Sequence, residues 1–330
     1  MQAYQNGSYR RTILEMFADQ YHVPVPSLLN QSIGNITASN SRLQVEYFVN
    51  NSQDPDSDIR LLDDAKEAAH DALASQENHG CLPGTRKGVL QEVMTWILGD
   101  KESCILWLNG VAGSGKSTLA RTICKDLKTM GMLGASFFFS HAHKDTSNAT
   151  MFFTTIAKQL AVNHPSLLRD KISQIVRTRP DIALKAFPEQ WETLVAAPLC
   201  ACDAGSEART IVIPVDALDE CEAGQVGALL SQLIRSKDIS NVRLRFIITS
   251  RPEPIIRNKF QRSDGLYSSL VLEEVPRETV DADISAYVWH ELSSIKKSQD
   301  WILDDWPSAE IVKEIVNLSA GLFIYAATIC

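Results

Sequence analysis

The chain has 330 residues, more than one ordinary core organises and enough for two compact units with an additional arm. Hydrophobic residues make up 45% of it and charged residues 22%, which excludes collagenous and strongly charged disordered classes and fits a globular protein. With 32 basic against 40 acidic side chains and a formal charge of −8, general binding to nucleic acid or to an anionic membrane is not expected.

The N-terminal MQAYQNGSYRRTILEMF lacks the long apolar core of a secretory signal. No stretch reaches the roughly 18 to 20 apolar residues that a membrane span needs. Seven scattered cysteines without a CxxC pair read as reduced thiols of an intracellular protein, so a cytoplasmic location is expected. Cys200 and Cys202 flank one residue, as do His141 and His143, and neither pair makes a tetrahedral metal set alone.

Residues 1 to 60 are polar and close on the turn-rich NNSQDPDSD. LLDDAKEAAHDALAS (61–75) predicts one helix, acidic in its first turn. Val89, Leu90, Val93, Met94, Ile97 and Leu98 make a second helical stripe. Strand-like runs follow at 104–109, 135–139, 210–215, 244–249 and 269–275, with helical stretches between them. That alternation predicts an α/β fold, a parallel sheet covered by helices on both faces. Beyond residue 276, VDADISAYVWHELSSI and SAEIVKEIVNLSAGLFIYAATI predict a small helical lid. Cys330 falls inside an apolar helical run, so a continuation of the chain is expected.

The first strand runs into Gly110-Val-Ala-Gly113-Ser114-Gly115-Lys116-Ser117-Thr118, which fits G-x-x-x-x-G-K-[ST] between a strand and a helix. Glycines let successive N–H groups turn inward to make an anion nest, and the helix start adds partial positive charge. Lys116 would reach the β- and γ-phosphates, and Ser117 would join a Mg²⁺ shell. The third strand ends in Asp216, suited to hold Mg²⁺ through water, with Asp219 and Glu220 one short turn on. A carboxylate there is placed to polarise a water that attacks the γ-phosphate. Arg251 closes the fourth strand, and the C-terminal ends of parallel strands share one crevice, so it would read the γ-phosphate. Pro214 lies within the acidic strand, where it removes a ladder hydrogen bond.

Taken together, GVAGSGKS, DALDEC and TSRPE in this order resemble the NACHT domains of signal-transducing NTPases, in particular the fungal nephrocystin-like N-terminal type. CLPGTR (81–86) and AGLFIYAAT fit as well. The resemblance covers roughly residues 81–330. It implies a P-loop domain over 81–275 with an added strand between the cradle and acidic strands, a lid over 276–330, and an arm over 1–80 without an assigned role. It further implies an ATP/ADP (or GTP) switch with Mg²⁺, self-association on activation, C-terminal sensing repeats beyond this chain, and a part in self/non-self recognition or programmed cell death. By resemblance, Lys116 and Ser117 are the phosphate and Mg²⁺ contacts, Asp216 the acidic-strand aspartate, Asp219 and Glu220 the downstream pair with Glu220 polarising water, and Arg251 the sensor. Thr85 and Arg86 would lie near the adenine. Gly321-Leu322-Phe323 stands where related switches carry Gly-x-Pro, and Pro214 where the family shows Val, Ile or Leu, so slow hydrolysis with intact binding is expected. A nucleotide-binding scaffold without turnover and a P-loop phosphotransferase are the alternative readings.

Overall fold

The computed structural model describes residues 55–72, 80–99, 103–203, 209–263, 265–298 and 305–330. The chain divides into Met1–Asp54 and Pro55–Cys330, and the polar N-terminal arm lies, up to Asp54, outside the described residues. Helices α1 (Pro55–Ile59) and α2 (Lys87–Leu98) precede β1 (Ile105–Asn109), α3 (Lys116–Thr129) and the short β2 (Phe137–Phe138). Four helices, α4 (Phe152–Asn163), α5 (Asp170–Thr178), α6 (Phe187–Gln190) and α7 (Ala197–Cys200), lead to β3 (Arg209–Asp216). Then come α8 (Ala223–Leu233), β4 (Val242–Ser250), α9 (Pro254–Gln261) and β5 (Tyr267–Val271). The last segment is helical: α10 (Arg277–Ser298), α11 (Ala309–Ser319) and α12 (Phe323–Ile329).

The five strands pair in parallel in the order β2-β3-β4-β1-β5, so β4 stands between the cradle strand β1 and the acidic strand β3. Successive side chains of a strand face opposite sides, and the core follows that alternation. Ile105, Trp107, Ile211, Ile213, Phe246 and Ile248 join one cluster, with α4, α5, α8 and α9. Leu106, Leu108, Val212 and Ile247 join the other, with α2 and α3. Helices thus cover both faces, and α10 to α12 bury a small core of their own around Ile284, Val288 and Val312.

Three local expectations need correction. Residues 61–75 do not form one helix. The chain turns after α1, and only Lys66–Ala68 takes a short 3-10 turn, residues 73–75 lying outside the described set. Helix propensity yields to tertiary bonds there: Ala65 N–H donates to Thr155 Oγ1 at 3.0 Å, and Lys158 Nζ takes Leu62 O and Asp64 Oδ1. Within the turn-rich NNSQDPDSD, residues 55–58 begin α1, whose Asp58 accepts from Ser173 Oγ at 2.7 Å. The strand expected at 269–275 spans 267–271 instead, and Leu272–Glu274 form a 3-10 turn that buries Leu272 and turns Glu273 toward the cradle.

Pro214 does lie in β3, opposite Ile247 of β4. On the β2 side, Val212 donates to Met132 O and accepts from Gly134 N–H, and Asp216 O accepts from Phe139 N–H. Alternate residues of a strand address the same neighbour, so the proline nitrogen faces β2, where the pairing is broken. Side chains of α4 fill the break. Gln159 accepts from Ser136 N–H at 2.8 Å and donates to Ser136 O at 2.9 Å, while Asn163 donates to Gly134 O at 2.9 Å. Asp216 regains register opposite Phe138. Gln159→Leu would leave the buried N–H and C=O of Ser136 without their partner. It is expected to lower unfolding stability by about 2–4 kcal/mol, read from urea denaturation.

Candidate functional site

Parallel register brings the chemistry to one sheet edge. Asn109 pairs with Ser250 of β4 and Val271 of β5, and Gly110 N–H bonds Ser250 O at 3.3 Å. The loop 110–115 therefore opens beside the C-terminal ends of its neighbours, with Gly113 and Gly115 at φ 77° and 91°, angles that L side chains rarely adopt. Ser114 Oγ donates to Val111 O at 2.9 Å. Lys116 Nζ lies over the loop and donates to Gly110 O and Val111 O, both at 2.8 Å. Ser117 and Thr118 follow in the first turn of α3. Burial holds the Lys116 ammonium below its usual range, against the opposing pull of Asp219 and Asp216.

Asp216 is buried at the end of β3. Its Oδ1 accepts from Thr249 Oγ1 at 2.5 Å, and the nearby Ser117 hydroxyl favours the charged form of the carboxyl. Thr249 accepts the N–H of Ala217 at 3.0 Å, whose left-handed backbone (φ 54°) starts the Leu218–Glu220 turn. That turn separates the acidic pair. Asp219 Oδ1 accepts from Arg251 N–H at 3.0 Å, and its Oδ2 lies 3.2 Å from Arg251 Nε. Glu220 Oε2 accepts from His141 N–H at 3.0 Å, in the segment that follows β2.

Arg86 joins the cradle to the lid. Nη2 donates to Ser114 O at 2.7 Å, the backbone N–H donates to Asp283 of α10 at 3.0 Å, and the guanidinium lies 4.5 Å from the centre of the Phe323 ring. Like Ala217 and Ala320, Arg86 adopts positive φ without being glycine. Ile324 N–H donates to Gly113 O at 3.3 Å, and a Cβ added at Gly113 would come 2.3 Å from Ile324 Cγ2. A cavity of about 440 Å³ lies next to this junction, lined by Arg86, Val89, Leu270, Val275, Pro276 and Asp283 among others. Thr85 is not part of that lining, since its hydroxyl turns back to Leu82 O at 2.8 Å.

Lys116, Asp216, Asp219 and Arg251 thus lie close enough to interact with one another, and Arg86 bonds the cradle at Ser114, whereas Glu220 turns to His141 and Thr85 to Leu82. Sequence reasoning missed Thr249, Asp283 and Glu273, whose Oε1 accepts from Val111 N–H at 2.5 Å. TSRPE contained Thr249, but only strand register reveals that its hydroxyl meets Asp216. The donor set suits a phosphate and a divalent cation: a glycine nest, an ammonium, and a buried carboxylate beside a hydroxyl.

Burial pushes the Asp216 carboxyl above the usual carboxylate range, although Thr249, Ser117 and the charges of Arg121 and Lys116 oppose this. A carboxyl raised in the fold stabilises it below the ordinary value of 3.8 and loses that contribution as pH rises through the raised value. Without added cation, Asp216→Asn should therefore raise Tm at neutral pH. Calorimetric scans across a pH series should show the gain shrink in acid, and added Mg²⁺ should raise the Tm of the wild type alone.

Among the described residues, no helix is long and apolar enough to cross a membrane. The chain is 24% identical over 264 residues to "Vegetative incompatibility protein HET-E-1" of Podospora anserina, an alignment covering 76% of this chain and 18% of that relative. Among solved structures, C. elegans PCH-2 superposes with a TM-score of 0.40 and 13% identity, over 74% of this chain and 61% of that one. Drosophila ORC bound to DNA superposes at 0.41 and 14%, over 72% and 53%. Residues 84–251, a little over half of the 330, match the family described as Nephrocystin 3, N-terminal. The chain belongs to this NACHT-like family, as its motifs and their order led one to expect.

Proposed function

We propose that this chain is a nucleotide-controlled signalling switch that binds ATP or ADP and hydrolyses ATP slowly. The observation that carries the reading is the Asp216 carboxylate, buried against Ser117 and Thr249 beside the glycine cradle. Ser117 and Asp216 would hold Mg²⁺, which when bound neutralises charge on the β- and γ-phosphates. Lys116 exchanges its bonds to Gly110 O and Val111 O for phosphate oxygens. Glu220 polarises the attacking water once it leaves the His141 N–H. The cavity beside Arg86 takes the nucleoside of ATP or GTP.

The lid completes the switch. Turning a population from 1:99 to 99:1 needs discrimination of about 5.5 kcal/mol, more than one phosphate contact provides, and α12 rests on the cradle through Gly113 and Arg86. Self-association in the ATP state, sensing by segments beyond this chain and a part in programmed cell death are proposed from the resemblance to NACHT switches, and a role in vegetative incompatibility from likeness to the Podospora protein, of which this chain spans 18%. A scaffold without turnover is the second reading, favoured by the bond that holds Glu220 to His141.

Lys116→Ala is expected to weaken ATP binding at least about tenfold by calorimetry; unchanged affinity would overturn the cradle assignment. Glu220→Gln should keep affinity and slow phosphate release by roughly 10² to 10⁴. Equal release from both proteins would remove Glu220 from the mechanism, and no release from the wild type despite tight binding would favour the scaffold.

A further inference from the structure

We infer that Asp219 is a positioning residue for Arg251, and that the pair sets the preference between nucleoside tri- and diphosphate instead of activating water. The inference rests on the nucleotide reading of the cradle. Both oxygens of the carboxylate face the same arginine: Oδ1 accepts its backbone N–H at 3.0 Å, and Oδ2 lies 3.2 Å from Nε. The Asp219 side chain is only 9% exposed, whereas that of Arg251 is 51% exposed. Asp219 is thus a fixed, screened anchor, and Arg251 a side chain tethered near its root and open toward its tips.

The anchor is itself built from the site. Asp219 lies in the 3-10 turn that follows Ala217, whose left-handed backbone is fixed by Thr249 Oγ1, the same oxygen that holds Asp216. Arg251 follows Ser250, whose carbonyl accepts the N–H of Gly110. The arginine is therefore tied to the cradle through its own chain and to the acidic strand through Asp219. A guanidinium has five N–H donors in a planar fork. With Nε facing Asp219, the terminal nitrogens are left to meet a phosphate, and a terminal γ-phosphate distinguishes ATP from ADP. A carboxylate fixed in this way pre-organises the donor, so that less rotamer freedom is lost when the phosphate arrives.

The test is calorimetric titration of the full chain with Mg²⁺ and either ADP or a non-hydrolysable ATP analogue, for wild type, Asp219→Ala, Asp219→Asn, Arg251→Ala and the Asp219→Ala/Arg251→Ala double variant. Asp219→Ala should lower the ratio of analogue to ADP affinity about tenfold, as Arg251→Ala does, and the double variant should fall no further. Asp219→Asn retains shape and the acceptor for the backbone N–H, so it should fold and show an intermediate ratio. An unchanged ratio in Asp219→Ala and Asp219→Asn, with reduced phosphate release, would overturn the inference and return Asp219 to the water. Additive losses in the double variant would also overturn it. If the wild type binds neither nucleotide, or binds them equally well after Lys116→Ala, the cradle reading itself fails and this inference with it.

Discussion

Thr249 Oγ1 donates to the buried carboxylate of Asp216 and accepts the N–H of Ala217, so one side chain on β4 fixes both the end of β3 and the turn that leaves it. The contact exists because β3 and β4 pair in parallel, with Val215 opposite Ile248. It leaves the hydroxyl with both donor and acceptor roles filled in a buried position, where an unpaired polar group is costly. Everything downstream inherits this geometry. The turn sends Asp219 to Arg251 and Glu220 to His141 N–H, and Gly110 N–H leans on Ser250, the residue after Thr249. The cradle and the acids are placed relative to one another through β4, which touches both.

Much of this was legible in the sequence because it is local. Glycine spacing in a strand–loop–helix context identifies the cradle without knowledge of the fold, and apolar runs mark the first four strands of the described sheet, while the last begins two residues earlier than its run. That Asp219 and Glu220 take different partners was not legible in the motif. They are neighbours in sequence, yet the left-handed residue before them sends their carboxylates to different partners. The segment 61–75 has good helical propensity but spends its backbone on Thr155 and Lys158, side chains some ninety residues away, which no local pattern encodes.

Pro214 shows the same limit from the other side. As a sequence feature it argued against a central strand and for impaired chemistry. In the fold, the missing donor faces only the β2 side, and two amides of α4 satisfy the backbone groups across the break. The β4 side, which carries Asp216 to Thr249, is continuous. The break at the proline thus leaves intact the strand pairing that positions Asp216. One turn further on, the Glu220 carboxylate is held by the His141 N–H.

Among the described residues, three that are not glycine adopt a left-handed backbone, namely Arg86, Ala217 and Ala320. Each costs on the order of 1 kcal/mol relative to an ordinary conformation, and they stand at the entrance to α2, at the end of the acidic strand and at the break between the lid helices. Glycine would remove that strain, as it does at Gly113 and Gly115, but would add entropy to the unfolded chain. Their side chains explain one case, since Arg86 is needed for Ser114 and Phe323. For the two alanines, glycine would add backbone freedom at the joints where the acidic turn and the lid change direction. Alanine at these two joints keeps the unfolded chain less free than glycine would, so the turn after β3 and the break between the lid helices are held by fewer accessible backbone states.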